Sequence, residues 1–349
     1  MPYDFPYMKE IQGGRAPRLL LVDGHYYLYR SFFAIRGLTN ARGEPTNAIY
    51  GFLKAIRRMI SDVRPDYAAV VWDAGIPDHR MALHPGYKQN RDDMPDDLEV
   101  QEEPIRRTLP LMGVRCVFLE ETEADDLIAS YVNQARSRGF ECVVATNDKD
   151  ILQLVGEGVC VYSSGSAAGD AKEGFRLLGI PEVTEKWGVP PAMIGDVLAL
   201  TGDAADNIPG ITGVGVKTAS KWLGRFGSLG ALLERCGEDP KIDAKISPHR
   251  DLILKNRRMV TLDTGLPLPL PIEAMGIDPC YPELIAAMKE FGFRSLTADI
   301  EREDRERSGA VPKEGTDPDA GRVEPEKGAR VENLSREETI APVQGELFS

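Results

Sequence analysis

Within residues 120–126 the chain sets five carboxylates, Glu120, Glu121, Glu123, Asp125 and Asp126, directly before an apolar pattern of helical period (Leu127, Ile128, Tyr131, Val132). Like charges this close destabilise a fold unless solvent or a cation neutralises them. More acids stand at the ends of β-rich apolar runs: Asp23 closes "RLLLVD", Asp73 follows "YAAVVW", and Asp148 and Asp150 follow "FECVVATN". "LTGDAADNIPG" adds Asp203 and Asp206, spaced three apart like Glu123 and Asp126. Any single one of these acids reads equally well as a helix N-cap. Nine of them at the ends of strands and the starts of helices point instead to bound cations. Asp and Glu are hard oxygen ligands suited to Mg2+ or Mn2+, whereas zinc or copper would bring His or Cys. Of the four histidines, His25 alone lies near these motifs. Two divalent ions in one acidic pocket suit in-line displacement at phosphorus, where they activate water and stabilise the attacking and leaving oxygens. The chemistry to expect is phosphodiester hydrolysis. "RDDMPDDLEV" is just as acidic, but Asp96 and Asp97 follow Pro95 at a helix start, where they serve the helix dipole or solvent.

Two basic stretches complement the acids. "GYKQNR" (86–91) carries Tyr87, Lys88 and Arg91. It reads either as a solvated loop or as a segment whose cations neutralise a scissile phosphate while its aromatic ring stacks on a base. "IPGITGVGVKTASKWL" sets Gly213, Gly215 and Lys217 before a helix. Such a turn brings backbone N–H groups close to a phosphate at a helix N-terminus, and Lys217 adds charge. A dinucleotide fingerprint is excluded by the missing strand and third glycine, and a Walker A loop by the spacing. A plain helix–turn–helix hairpin remains the alternative to a non-specific clamp on duplex backbone.

The elements that must position these residues follow from periodicity. "RLLLVDG" (18–24), "YAAVVWDA" (67–74), "VRCVFLE" (114–120) and "FECVVATND" (140–148) are short continuous apolar runs, with helical patterns at 46–60, 96–112 and 124–137 between them. Buried runs alternating with amphipathic helices predict an α/β domain with a mostly parallel central sheet flanked by helices. In such sheets the carboxyl ends of the strands form the ligand crevice. The division expected is an N-terminal extension over 1–17, the α/β domain over 18–180, a helical region over 181–298 and a tail over 299–349. The tail is charged, rich in Pro and Gly and too poor in large apolar residues to order itself.

The net charge of −13 argues superficially against a nucleic-acid partner, yet residues 301–349 hold 13 acids against 8 bases, and the acidic cluster takes a further share. The five scattered cysteines show no metal-ligand spacing and read as reduced thiols of a cytosolic protein. No apolar run has the length of a membrane span, and "MPYDFPYMKEIQGGRAP" lacks the order of a secretory signal.

The stretches "LLLVDGHYYLYRSFFAI", "GEPTNAIYGFL", "AAVVWDA", "GYKQNRDDMPDDL", "ETEADDLIA", "ATNDKDILQLV" and "LALTGDAADNIPGITGVGVKTA" together resemble the bacterial 5′–3′ exonuclease and flap endonuclease family, which includes the N-terminal nuclease domain of DNA polymerase I. They occur in family order across roughly residues 18–295, and the chain looks like a free-standing member. The resemblance implies a PIN-like 5′ nuclease fold, a helix–three-turn–helix (helix–hairpin–helix) DNA-binding region and a helical arch over the active site. It implies that all nine acids bind metal, and that Arg30, Lys88, Arg91 and Tyr87 are basic and arch residues of the catalytic site. It also implies that a potassium ion bridges backbone and phosphate at Gly213, Gly215 and Lys217, and that the protein is a monomer acting on DNA in the bacterial cytoplasm, at the nucleoid. Asn147 stands where a Gly is common, Asp92 and Asp93 replace a Pro pair, and residues 163–175 do not align well; none of these removes a ligand.

The chain ends in "QGELFS", where Gln344, Leu347 and Phe348 have the Q-x-x-L-F spacing of peptides that dock on the bacterial sliding clamp, or match it by chance. The function expected is a Mg2+-dependent, structure-specific 5′ nuclease of primer removal and repair. The alternatives are a branched-DNA binding module without catalysis, which the intact acids disfavour, and a PIN-like RNA-processing nuclease, which would normally lack the Gly213–Lys217 hairpin.

Overall fold

The computed structural model describes residues 10–11, 14–163 and 175–309. A short hairpin of β1 (Glu10–Ile11) and β2 (Gly14–Arg15) precedes the main sheet. The sheet is built from β3 (Arg18–Asp23), β4 (Tyr67–Val71), β5 (Arg115–Val117), β6 (Glu141–Ala145), β7 (Val159–Ser163) and β8 (Arg176–Leu178). Its order is β5-β4-β3-β6-β7-β8; the first five are parallel and β8 is antiparallel to β7. The four expected strands are present. β7 ("VCVYS") and β8 add two more strands.

β3 lies in the middle, with β4 and β5 laid down to one side and β6 and β7 to the other. The order therefore reverses between β3 and β6, and the crevice for a ligand opens beyond their carboxyl ends. Both faces of the sheet are covered, which is why its strands read as unbroken apolar runs. Leu20 and Val22 face α1 (Gly24–Ala34), α2 (Asn47–Val63) and α4 (Asp96–Thr108), while α3 (Asp78–Leu83) lies toward the opposite side. Leu19 and Leu21 face α5 (Ala124–Ser137) and the helical region of α6 (Ile180–Trp187), α7 (Ile194–Thr201), α8 (Val216–Phe226), α9 (Leu229–Arg235), α10 (Pro240–Ile246) and α11 (Arg250–Met259).

The late helices divide between the two faces of the sheet. α12 (Tyr281–Glu290) and α13 (Arg294–Ser308) do not stay with the other late helices; Leu284, Met288, Leu296 and Ile300 bury themselves on the α2 side of the sheet. α13 also runs on through the first residues assigned to the tail. Arg57 of α2 holds it with a two-pronged bond to Glu303, at 2.6 and 3.1 Å, and Arg307 reaches Asp278 at 3.0 Å. High charge did not prevent order there because the charges have folded partners. Among the described residues no helix is long and apolar enough to cross a membrane, and all five cysteines are free.

Candidate metal centre

Asp23 is the last residue of β3 and the N-cap of α1: one oxygen accepts the Tyr26 N–H (3.0 Å) and the other the Thr146 hydroxyl (2.8 Å). Asp73, two residues past β4, accepts the Ala124 N–H at 2.8 Å and so draws the start of α5 to the end of the sheet. Its other oxygen lies 2.9 Å from His25 Nδ1. After β6 the chain turns so that the Asp150 N–H donates to Asp148 Oδ1 at 2.8 Å. The loop between α7 and α8 is pinched shut: Asp203 and Ile208 exchange both backbone hydrogen bonds, at 2.8 and 2.7 Å. The pinch needs Gly202, at φ +70°, and Gly210, where a Cβ would stand 1.9 Å from the Thr201 carbonyl oxygen. It aims Asp203 and Asp206 at Asp150.

One carboxylate oxygen from each of Asp150, Asp203 and Asp206 lies within 4.8 Å of the other two. All three residues are buried, and Asp150 Oδ1 has no hydrogen-bond partner. Burial first, then Asp148, Asp203 and Asp206, push the Asp150 carboxyl well above the usual range. Burial and the Asp73 charge push Asp23 up to about 7. Asp125 is raised by burial and by Asp148 and Asp23; Asp148 is raised mainly by burial, with Asp206 and Asp203 adding to it. These seven acids feel one another's charge. A donor set of carboxylate oxygens with one buried oxygen unpartnered fits hard divalent cations.

Side-chain cations already neutralise part of the cluster. Lys88 donates to Glu123, Arg91 to Asp206 (2.5 Å) and Lys149 to Asp203 (2.7 Å). Burial alone would lower the Lys88 pKa, but Asp206 and Glu123 outweigh it and raise it. Burial likewise opposes a low pKa at Asp206, and Lys88 and Arg91 prevail and lower it. Glu123 and Asp126 stand together as expected, but around a cation: Arg80 donates to Glu123 and forks onto Asp126 at 2.7 and 2.9 Å. Neither Arg80 nor Lys149 was found in the sequence. An arginine in "DHRM" or a lysine in "NDKD" carries no periodic signal, and its role appears only when distant acids arrive beside it.

One expectation for the 86–91 segment needs correction. Tyr87 does not offer its ring to a base. The ring is 4% exposed in the core, and the hydroxyl lies within hydrogen-bond reach of both Glu123 (3.1 Å) and Asp206 (3.2 Å), with one proton to share between them. Between α3 and α4, residues 85–90 form turns and 91–95 carry no regular structure. Pro85 and Gly86 oppose a helix, and the Lys88 N–H is held by the Asp206 carbonyl at 3.2 Å. Arg30 makes no contact with the acids; its guanidinium lies 5.4 Å from the centre of the Phe175 ring.

Gly213 has φ +76°, Gly215 is the N-cap of α8, and Lys217 is exposed in its first turn. Lys245 donates to the Thr212 carbonyl (2.9 Å) and so ties the turn to α10. Asp96 and Asp97 begin α4 as expected. Gln344, Leu347 and Phe348 lie outside the described residues.

A profile described as "5′-3′ exonuclease, N-terminal resolvase-like domain" matches residues 18–188, and "5′-3′ exonuclease, C-terminal SAM fold" matches 189–283. The chain is 37% identical over 285 residues to a 5′-3′ exonuclease of Aquifex aeolicus, covering 81% of this chain and 95% of that protein. It is 36% identical over 294 residues to DNA polymerase I of Rhizobium leguminosarum, covering 81% of this chain and 28% of that one. The chain therefore spans less than a third of that polymerase's length. Among solved structures, T5 5′-exonuclease with divalent zinc ions bound shares the fold (TM-score 0.59, 19% identity, 82% of this chain and 98% of that one). So does the catalytic core of Rad2 in complex with DNA substrate (TM-score 0.53, 15% identity, 79% and 88%). With two consecutive profiles spanning 18–283 and a relative matched nearly end to end, the chain belongs to the 5′-3′ exonuclease family.

Proposed function

We propose that this chain is a Mg2+-dependent, structure-specific 5′ nuclease that hydrolyses phosphodiester bonds at 5′ ends and flaps of DNA, with Mn2+ as a substitute. The observation that carries the reading is the buried triad Asp150, Asp203 and Asp206, with its unpartnered oxygen, beside Asp23, Asp73, Asp125 and Asp148. Asp150, Asp203 and Asp206 would hold one ion, and Asp23, Asp73, Asp125 and Asp148 a second, while Glu123 and Asp126, already engaged by Arg80 and Lys88, border these seven. When bound, such ions supply Lewis-acid stabilisation to the attacking and leaving oxygens.

The chain's own groups do the rest. Lys88 and Arg91, held at the cluster by Glu123 and Asp206, bring positive charge to the scissile phosphate and stabilise what it gains in the transition state. Tyr87 keeps Glu123 and Asp206 in register. Arg30 lies on α1, the helix that Asp23 caps, and contributes charge toward the same strand. The exposed turn at Gly213, Gly215 and Lys217 grips duplex phosphates without reading sequence, with K+ as a bridging ion. A clamp-docking peptide at Gln344, Leu347 and Phe348 would hold a monomeric enzyme at replication sites in the cytoplasm.

Incubating the protein with 5′-flap DNA, blunt duplex and single-stranded RNA, each with Mg2+ or chelator, tests the reading. It expects flap cleavage that depends on Mg2+. Flap binding without cleavage would favour an inactive branched-DNA module, and cleavage of RNA alone would favour an RNA-processing nuclease; either result rejects the proposal.

A further inference from the structure

Arg80 is 3% exposed and carries a charge that needs partners on every side. Toward the sheet its guanidinium forks onto Asp126, at 2.7 and 2.9 Å, and donates to Glu123. Away from the sheet, Nε donates to the Met259 carbonyl (3.1 Å) and Nη2 to the Thr261 carbonyl (3.3 Å), where α11 ends. Asp126 reaches the same segment by accepting the Asp263 N–H at 2.9 Å. Near the joint the Ser130 hydroxyl lies within hydrogen-bond reach of the carbonyls of Asp126 (2.9 Å) and Asp263 (3.0 Å), donating to one of them.

The other end of this connection is the hairpin. α11 packs on α7. From α11, Asn256, 0% exposed, donates to the carbonyls of Ala199 (3.2 Å) in α7 and Pro209 (2.7 Å) in the loop that leads to α8. Arg257 binds Asp196 of α7 at 2.8 Å. A continuous run of bonded groups thus joins the loop before α8, Asn256, α11, Arg80 and the two acids. A buried network with few alternative partners transmits displacement rather than absorbing it.

We propose that Arg80 is a positioning residue that couples DNA held at the α7–α8 hairpin to the placement of Glu123 and Asp126, and that ion binding and DNA binding strengthen each other through it. The inference rests on the reading of the acids as a divalent-ion site and of the hairpin as the DNA grip. Because the linkage is thermodynamic, an ion in the neighbouring aspartates that favours this placement of the two acids must tighten DNA by the same factor that DNA tightens the ion. A lysine could not replace the arginine. A point charge cannot face two carboxylates and two carbonyls at once, whereas a planar fork with five donors can.

The test uses Ca2+ as the ion probe, a fluorescent 5′-flap DNA, and the full chain at matched ionic strength. DNA affinity is measured by anisotropy with and without Ca2+, and Ca2+ uptake by calorimetry. In the wild type Ca2+ tightens DNA binding by about fivefold or more, within the usual range of coupling between sites. In Arg80→Lys and Arg80→Gln the ratio falls to within about twofold of one, each variant's own DNA affinity without the ion serving as its reference. A merely structural role would move melting temperature and leave the ratio intact. If Arg80→Gln does not fold, Arg80→Lys, which keeps the charge and loses the fork, decides alone. A folded variant with the wild-type ratio overturns the inference, as does a wild type that takes up Ca2+ without tightening on DNA. A wild type that takes up no Ca2+, or binds no flap DNA, instead overturns the underlying functional reading.

Discussion

At the scale of residues, the same carboxylates serve the fold and the site. Asp23 is the N-cap of α1, as a capping reading expects, whereas Asp73 bonds the first turn of α5 from a distant strand end, the N-cap there being Glu123. Asp23 gives a prediction with a definite sign. Without metal, burial and Asp73 hold its carboxyl at about 7, against an ordinary value of ~3.9. Between those two values the folded chain keeps a proton that the unfolded chain releases. This group's contribution to stability is thus present below the lower value and is lost as pH rises through the upper one. Asp23→Asn, which can still cap α1, should raise the melting temperature in chelator at pH 8 and shrink the rise that Mg2+ produces. A lower melting temperature in chelator would show that the ionised group is not strained there. The acids were legible because their chemical type narrows their use. Their counter-ions Arg80 and Lys149, and the buried Tyr87, were not, since each is defined by what distant segments bring to it.

At the scale of elements, strand ends and helix starts put the acids where the alternating apolar runs said they would be. The glycines of "TGDAADNIPG" explain how a loop from the helical region reaches the same crevice. Gly210 has the backbone of Thr201 where a side chain would go, so Gly210→Ala must open the pinch. We expect a loss of about 1–3 kcal/mol or more, measured by urea unfolding, together with weaker Mg2+ uptake as Asp203 and Asp206 move from Asp150. Unchanged stability and uptake would mean that the loop closes in some other way. β7 escaped notice because a five-residue apolar run between glycines looks like any loop, and β8 because its pairing with β7 is non-local. Lys88 and Arg91 of the 86–91 segment stand at the acids, while the Tyr87 ring is buried rather than offered for stacking. The two cations fold down onto the acids, and that attraction depends on partners more than 100 positions away, such as Asp206.

At the scale of the whole molecule, a charge of −13 says little about DNA, because acids concentrated at a cation site are neutralised locally and the remaining surface meets the substrate. α12 and α13 close back on α2, which separates the helices that build the hairpin from those that seal the sheet. The proposal that Gln344, Leu347 and Phe348 dock on a sliding clamp belongs to this scale, since tethering would act by raising local concentration. Pull-down on a bacterial sliding clamp should be lost in a Leu347→Ala, Phe348→Ala double variant while flap cleavage by the free enzyme is unchanged; retained pull-down would reject the docking role.

The claim beneath everything else is that acids from separate elements form one site for hard divalent ions. Calorimetric titration of Mg2+ into metal-stripped protein addresses it most directly. The account predicts uptake of two ions per wild-type chain, with proton release as the raised carboxyls ionise, and the loss of one ion in Asp150→Asn. No uptake by the wild type, or the same uptake by the folded variant, would contradict it.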